Sequence, residues 1–97
     1  MRTYLILSKF SADAFRDPRE LPKLADDVAQ AIKERCPAVR WISSYAALGR
    51  FDVVDIVESE DSSDVEKAAL IIRGLGHCTT ETLMLTPWKE AVERAGK

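Results

Sequence analysis

Asp55 interrupts the apolar run Val53-Val54-Asp55-Ile56-Val57, and a carboxylate in that company is the side chain of this sequence best placed to do chemistry. Burial would raise its pKa, which suits a general base or a polar anchor for a ligand. A structural role competes: Asp55 could accept a hydrogen bond from Ser44 or meet solvent at a cavity mouth, and perturbed carboxylates also arise that way. That role is preferred to catalysis, although a wet cavity would leave Asp55 free to anchor a ligand. His77, the sole histidine, could act as an acid or base, the role histidine commonly takes. It follows Gly76, a predicted helix stop, where a cation complements the helix dipole. With no paired nucleophile or metal set in view, a structural role is again the better reading. Cys78 adjoins His77, yet no third group is visible to orient the pair. Tyr4, Trp41 and Tyr45 could line a ligand pocket, though half-buried aromatics are ordinary in strands. Asp52 reads as a turn-stabilising carboxylate, Glu58 as a solvated or capping group at a strand end, and Arg50 as an exposed hairpin tip.

The elements that must position these groups are legible in the spacing. Tyr4 to Ser8 reads as a first strand, and residues 11 to 20 form a polar connection with Phe15 as its one large apolar group. Leu21, Leu24, Ala25, Val28 and Ile32 fall on one helical stripe, with Pro22 in the first turn and Cys36-Pro37 as the stop. A second strand is expected from about Val39 to Ala47. A two-residue Gly49-Arg50 turn leads into the third, and glycine there supplies a positive φ. Ser63-Asp64-Val65-Glu66 fits a capping box. Val65, Ala68, Ala69, Ile72 and Leu75 give a second amphipathic helix, with Gly76 as its left-handed stop. Thr79 to Leu85 is the fourth strand, and Thr86-Pro87 opens a short charged helix running through Ala95.

The order β-α-β-β-α-β is that of a ferredoxin-like α+β domain with a four-stranded antiparallel sheet, helices on one face and the other face bare. A tight hairpin pairs Ala46 with Val53, Ser44 with Asp55 and Ile42 with Val57, and places Trp41, Ser43, Tyr45, Val54 and Ile56 on the opposite face. A carboxylate under packed helices would be costly without partners. The Ser44/Asp55 face is therefore assigned to the bare side, as the lining of a lumen, together with Thr80, Thr82 and Met84. Leu83 and Leu85 are assigned to the helix side. An apolar bare face calls for a second protomer, so a homodimer or a higher homo-oligomer is expected.

A net charge of −2 on 97 residues, with no basic stripe, argues against a nucleic-acid or anionic-membrane partner. The apolar N-terminal stretch is too short for a signal-peptide core and no segment is long enough to span a membrane. The cytoplasm is the expected compartment. Cys36 and Cys78 form no Cys-x-x-Cys and are expected to be free thiols, with Cys36 partly buried. No cofactor is expected, and metal is set aside for want of clustered ligands.

In element order and in specific residues the chain resembles the GYD-domain family. Tyr45, Leu48-Gly49, Phe51-Asp52, Val53-Val54, Ile56-Val57 and Glu58 carry the resemblance, with a second block at Gly76 and Thr80-Glu81-Thr82-Leu83. It implies a ferredoxin-like domain that pairs as a dimeric α/β barrel, and it implies no particular activity. Phe51 stands where the family usually has tyrosine, and Asp55 where a small apolar residue is usual. Two functional readings follow. One is a non-enzymatic module binding a small, partly apolar molecule through Asp55, Ser44, Thr80, Thr82, Tyr45 and His77, between the sheet and its partner or helices. The other, from fold analogy, is a cofactor-independent monooxygenase- or isomerase-like enzyme.

Overall fold

The computed structural model describes all residues from 1 to 97. Strand β1 (Arg2–Phe10) is followed by a single 3-10 turn (Pro18–Glu20) and helix α1 (Leu21–Arg35). Then come β2 (Arg40–Ala46), β3 (Val53–Ser59), α2 (Ser62–Leu75), β4 (Cys78–Leu85) and α3 (Trp88–Ala95). The strands lie in the order β2-β3-β1-β4, every neighbour antiparallel. This is the split arrangement expected of a ferredoxin-like fold, in which each crossover helix returns the chain to the sheet.

The core is lopsided. Tyr4 and Ile6 of β1, Val57 of β3 and Cys78 of β4 are buried against Val65, Ala68, Ile71 and Ile72 of α2, whereas α1 buries only Ile32. Helix α2 is thus seated on the sheet, and α1 stands off it along the β2–β3 half. Pro22 occupies the first turn of α1, and the helix ends at Arg35 with Cys36 as its cap. Helix α2 starts two residues earlier than the serine box implies. Asp61, in extended conformation, is the cap, and its carboxylate accepts from both the Ser63 amide (2.9 Å) and the Ser63 hydroxyl (2.8 Å). An ionised cap complements the helix dipole better than serine does.

Gly76 is not the left-handed stop: its φ is −85°, and His77 takes the positive φ instead, at 51°. Glycine is required at 76 because a Cβ there would lie 2.5 Å from the Ile72 carbonyl oxygen, the acceptor for the Gly76 amide. His77 tolerates its conformation because the His77 carbonyl is held by the Ser11 amide and hydroxyl at 2.9 and 2.8 Å. The hairpin does have its positive φ at Gly49, 143°. Its connection is wider than two residues, however, since the ladder ends at Ala46–Val53 and residues 47–52 form the link.

The sheet faces differ from the expected assignment in two ways. The pairs Ala46–Val53 and Ser44–Asp55 are in place, but a bulge between Trp41 and Ser43 sets Trp41, not Ile42, opposite Val57. The extra residue brings Trp41 onto the Ser44/Asp55 face, as a one-residue slip does. That face lies under the helices. Asp55 is in register with Ile6, which is fully buried, and Ile6 with Thr82 on β4. Thr80, Thr82 and Met84 therefore also point to the helix side. Leu83 and Leu85 share the open face with Leu5, Leu7, Val54, Ile56 and Tyr45. Beyond the bulge that moves Trp41, alternation sorted these residues into sets correctly; apolar residues on both faces left the choice of covered face to the cost of a buried carboxylate. Local donors lower that cost.

Candidate functional site

Because α1 stands off the sheet, a cavity of about 870 Å³ opens between it and the β2–β3 half. Most of its lining is apolar, with Leu24, Val28 and Ile32 of α1 facing Val53, Ala46 and Trp41 of the sheet. The polar groups are few. Asp55 forms the floor at 6% exposure, and its Oδ1 accepts from the Ser44 hydroxyl at 2.5 Å and from the Trp41 indole N–H at 3.2 Å. The same indole N–H reaches Ser44 Oγ at 3.0 Å, closing a three-member set. Both donors meet Oδ1, and Oδ2 has no protein partner. Burial pushes the Asp55 carboxyl above its ordinary pKa, and the bonds from Ser44 and Trp41 offset part of that rise.

Two further groups complete the floor. Ser8 of β1 is 3% exposed and lines the cavity, and its hydroxyl makes no hydrogen bond of ordinary geometry within the protein. Cys78 also lines it; burial raises its thiol pKa, with the Ser8 hydroxyl beside it the main opposing influence. Its sulfur is directed at the Ile72 carbonyl, 3.4 Å away. Cys36 and Cys78 are both buried free thiols. Asp52, at the cavity edge, uses Oδ2 to accept the Phe10 amide at 2.8 Å, while the Asp52 amide donates to the Ser8 carbonyl at 2.8 Å. This ties the hairpin link to the end of β1, the turn-stabilising role its position suggests.

The other candidate residues are dispersed. Thr80 and Thr82 line a separate recess of about 390 Å³ beneath α2, with Tyr4, Met84 and Arg73. The Tyr4 hydroxyl is buried there without a hydrogen-bond partner. Tyr45 is exposed on the open sheet face, and His77 is exposed in the loop before β4. Of the six, Asp55 and Ser44 come together in the main cavity and Thr80 and Thr82 in the separate recess, while Tyr45 and His77 join neither. Ser8 was missed by the sequence reading, although it breaks the apolar run of β1 as Asp55 breaks that of β3. Trp41 was read onto the wrong face, because nothing in the sequence announces the bulge.

The profile of the GYD domain matches residues 4–95. A Thermus thermophilus protein named "glutamine synthetase and cystathionine beta-lyase binding protein" is 33% identical over 94 residues, covering 97% of this chain and 98% of that one. Among solved structures, one of a protein from Thermus thermophilus superposes with a TM-score of 0.60 at 19% identity, over 90% of this chain and 95% of that one. The leucine response regulatory protein of Mycobacterium tuberculosis does so at 0.56 and 16% identity, over 89% of this chain. This chain spans about half of that regulator, 51% of its length. At such identities the structural likenesses establish the ferredoxin-like fold. No helix of the chain is long and apolar enough to cross a membrane.

Proposed function

Because the chain belongs to the GYD-domain family, we propose that it is a non-catalytic, homodimeric binding module whose helix–sheet cavity holds a small, partly apolar molecule anchored at Asp55 and Ser44. The observation that carries this reading is the cavity's make-up: an extended apolar lining with one carboxylate–hydroxyl–indole set on its floor. Ligand sites have that character, apolar walls for affinity and a few convergent polar groups for orientation. Binding is favoured over turnover because no acid–base or nucleophile–base pair assembles around Asp55. His77 is exposed elsewhere, Asp52 is committed to a backbone amide, and the Cys78 thiol is raised by burial rather than activated. The alternative, a monooxygenase- or isomerase-like enzyme, rests on fold analogy alone. A relative named for binding two enzymes also fits a binding role.

The test is a native mass spectrum of freshly purified protein beside its Asp55→Ala variant. A dimer carrying a small molecule that the variant loses, with no loss of stability, is the expected result. Ligand-free wild-type protein together with a strongly destabilised variant would return Asp55 to a structural role.

A further inference from the structure

We propose that the cavity's ligand is a cationic amine: an apolar body carrying one protonated nitrogen that pairs with Asp55 Oδ2 and donates a second hydrogen bond to Ser8 Oγ. This rests on the cavity reading above and names the chemical class that the floor selects.

The floor has acceptor capacity to spare and no buried cation. Ser44 and Trp41 both donate to Oδ1, which is how donors solvate an ionised carboxylate, and Oδ2 is left open. Of the charged side chains lining the cavity, Asp52 and Asp55 are acidic and Lys33 is exposed at the α1 rim. An anionic head group would bring like charge to a desolvated carboxylate. A neutral hydroxyl would bond it but leave the charge uncompensated. An ammonium does both, and a charge-assisted bond is roughly twice as strong as a neutral one.

Ser8 supplies a second, independent indication. Its hydroxyl is buried and makes no hydrogen bond of ordinary geometry, with only the weakly bonding Cys78 thiol beside it, so its acceptor capacity is free for a bound group. On β1, Ser8 stands opposite Val53 and Ile6 opposite Asp55, so Ser8 and Asp55 are diagonal neighbours on one sheet face. Diagonal pairs lie within reach of a single bridging group. Apart from the Ser44 hydroxyl and the two buried thiols Cys36 and Cys78, the remaining lining is aliphatic or aromatic, which asks for an apolar body behind the nitrogen.

The experiment compares three matched probes, 4-phenylbutylamine, 4-phenylbutan-1-ol and 4-phenylbutyrate, by calorimetric titration into the full-length protein, the Asp55→Asn variant and the Ser8→Ala variant. The amine is expected to bind at least about tenfold more tightly than either analogue. Asp55→Asn should bring the amine and the alcohol within about twofold of each other, and Ser8→Ala should weaken the amine several-fold while keeping the preference. Thermal midpoints of both variants establish that they are folded, and Asp55→Ala substitutes should the asparagine variant not be. Equal binding of the three, preference for the carboxylate, or no binding at millimolar concentration overturns the amine assignment. A native mass spectrum of the untreated protein separates the failures. A retained molecule without a basic nitrogen sinks only the ligand class, whereas a ligand-free protein that binds none of the probes sinks the cavity reading as well.

Discussion

Asp55 is more easily protonated in the folded chain than outside it, since burial raises its pKa from 3.8 and the Ser44 and Trp41 bonds only partly oppose this. The folded state therefore holds this proton more tightly than the unfolded state. Above the folded pKa, ionised Asp55 is a net cost to folding; as pH falls through that value toward 3.8 the cost is relieved. The Asp55→Asn variant should match or exceed wild-type stability at pH 8, and the wild type should gain on it as the pH is lowered, in urea denaturation at stepped pH. At pH 7, Asp55→Ala should leave stability unchanged or raise it by up to about 1 kcal/mol, because the Trp41 N–H keeps Ser44 as an acceptor. A loss of about 2 kcal/mol or more would mark Asp55 as a structural keystone. Asp55 was legible because it breaks its strand's pattern, and its pairing with Ser44 followed from hairpin register. Trp41 as its second donor was not legible, since a single extra residue at Ile42 inverts the side-chain alternation beyond it. Nor was the face: a strand apolar on both sides does not say which side is covered.

At the scale of elements, the helices and strands follow the sequence periodicity closely, and the departures lie where the chain turns. Gly49 and Gly76 separate two reasons for glycine. At Gly49 the φ is 143° and nothing lies within 4 Å of where a Cβ would be, so the requirement is conformational. Gly49→Val should cost on the order of 1–2 kcal/mol through backbone strain alone. At Gly76 the φ is ordinary and the obstacle is the Ile72 carbonyl. Gly76→Ala should cost about 1–3 kcal/mol, because the end of α2 must shift to admit a methyl group. Urea midpoints for the two variants decide the matter, and an unperturbed Gly76→Ala would show that the helix end yields freely. The sequence marks both glycines as punctuation but cannot separate a φ requirement from a close approach, which depends on how α2 meets β4. The cap of α2 was misplaced for a related reason: Asp61 and Ser63 both suit the position, and the extended backbone at Asp61 decides between them.

The whole molecule is elongated, 52 × 30 × 17 Å with a Cα radius of gyration of 14.7 Å, against about 13 Å for a compact chain of 100 residues. Helix α3 makes little contact with the rest of the chain. Apart from half-buried Ala91, every residue of α3 is exposed, although Trp88, Ala91, Val92 and Ala95 form an apolar stripe along it. The open sheet face is equally without cover, with Leu83, Leu85 and Tyr45 exposed beside the half-buried Leu5, Leu7, Val54 and Ile56. An apolar face and an unseated apolar helix on one small chain are an unstable combination for a monomer in water, and two-fold pairing would cover both at once. Sedimentation at tens of micromolar, where interfaces of ordinary affinity are filled, should find a dimer or an assembly of dimers. Removing Trp88–Lys97 should leave the far-ultraviolet dichroism of the remaining domain intact, because α3 makes little contact with it. The same deletion should raise the dimer dissociation constant at least about tenfold, the loss that a modest apolar contact carries. A full-length chain that sediments as a folded monomer would refute the dimer, and a truncated chain that dimerises as tightly as the whole would leave the open sheet face as the sole interface.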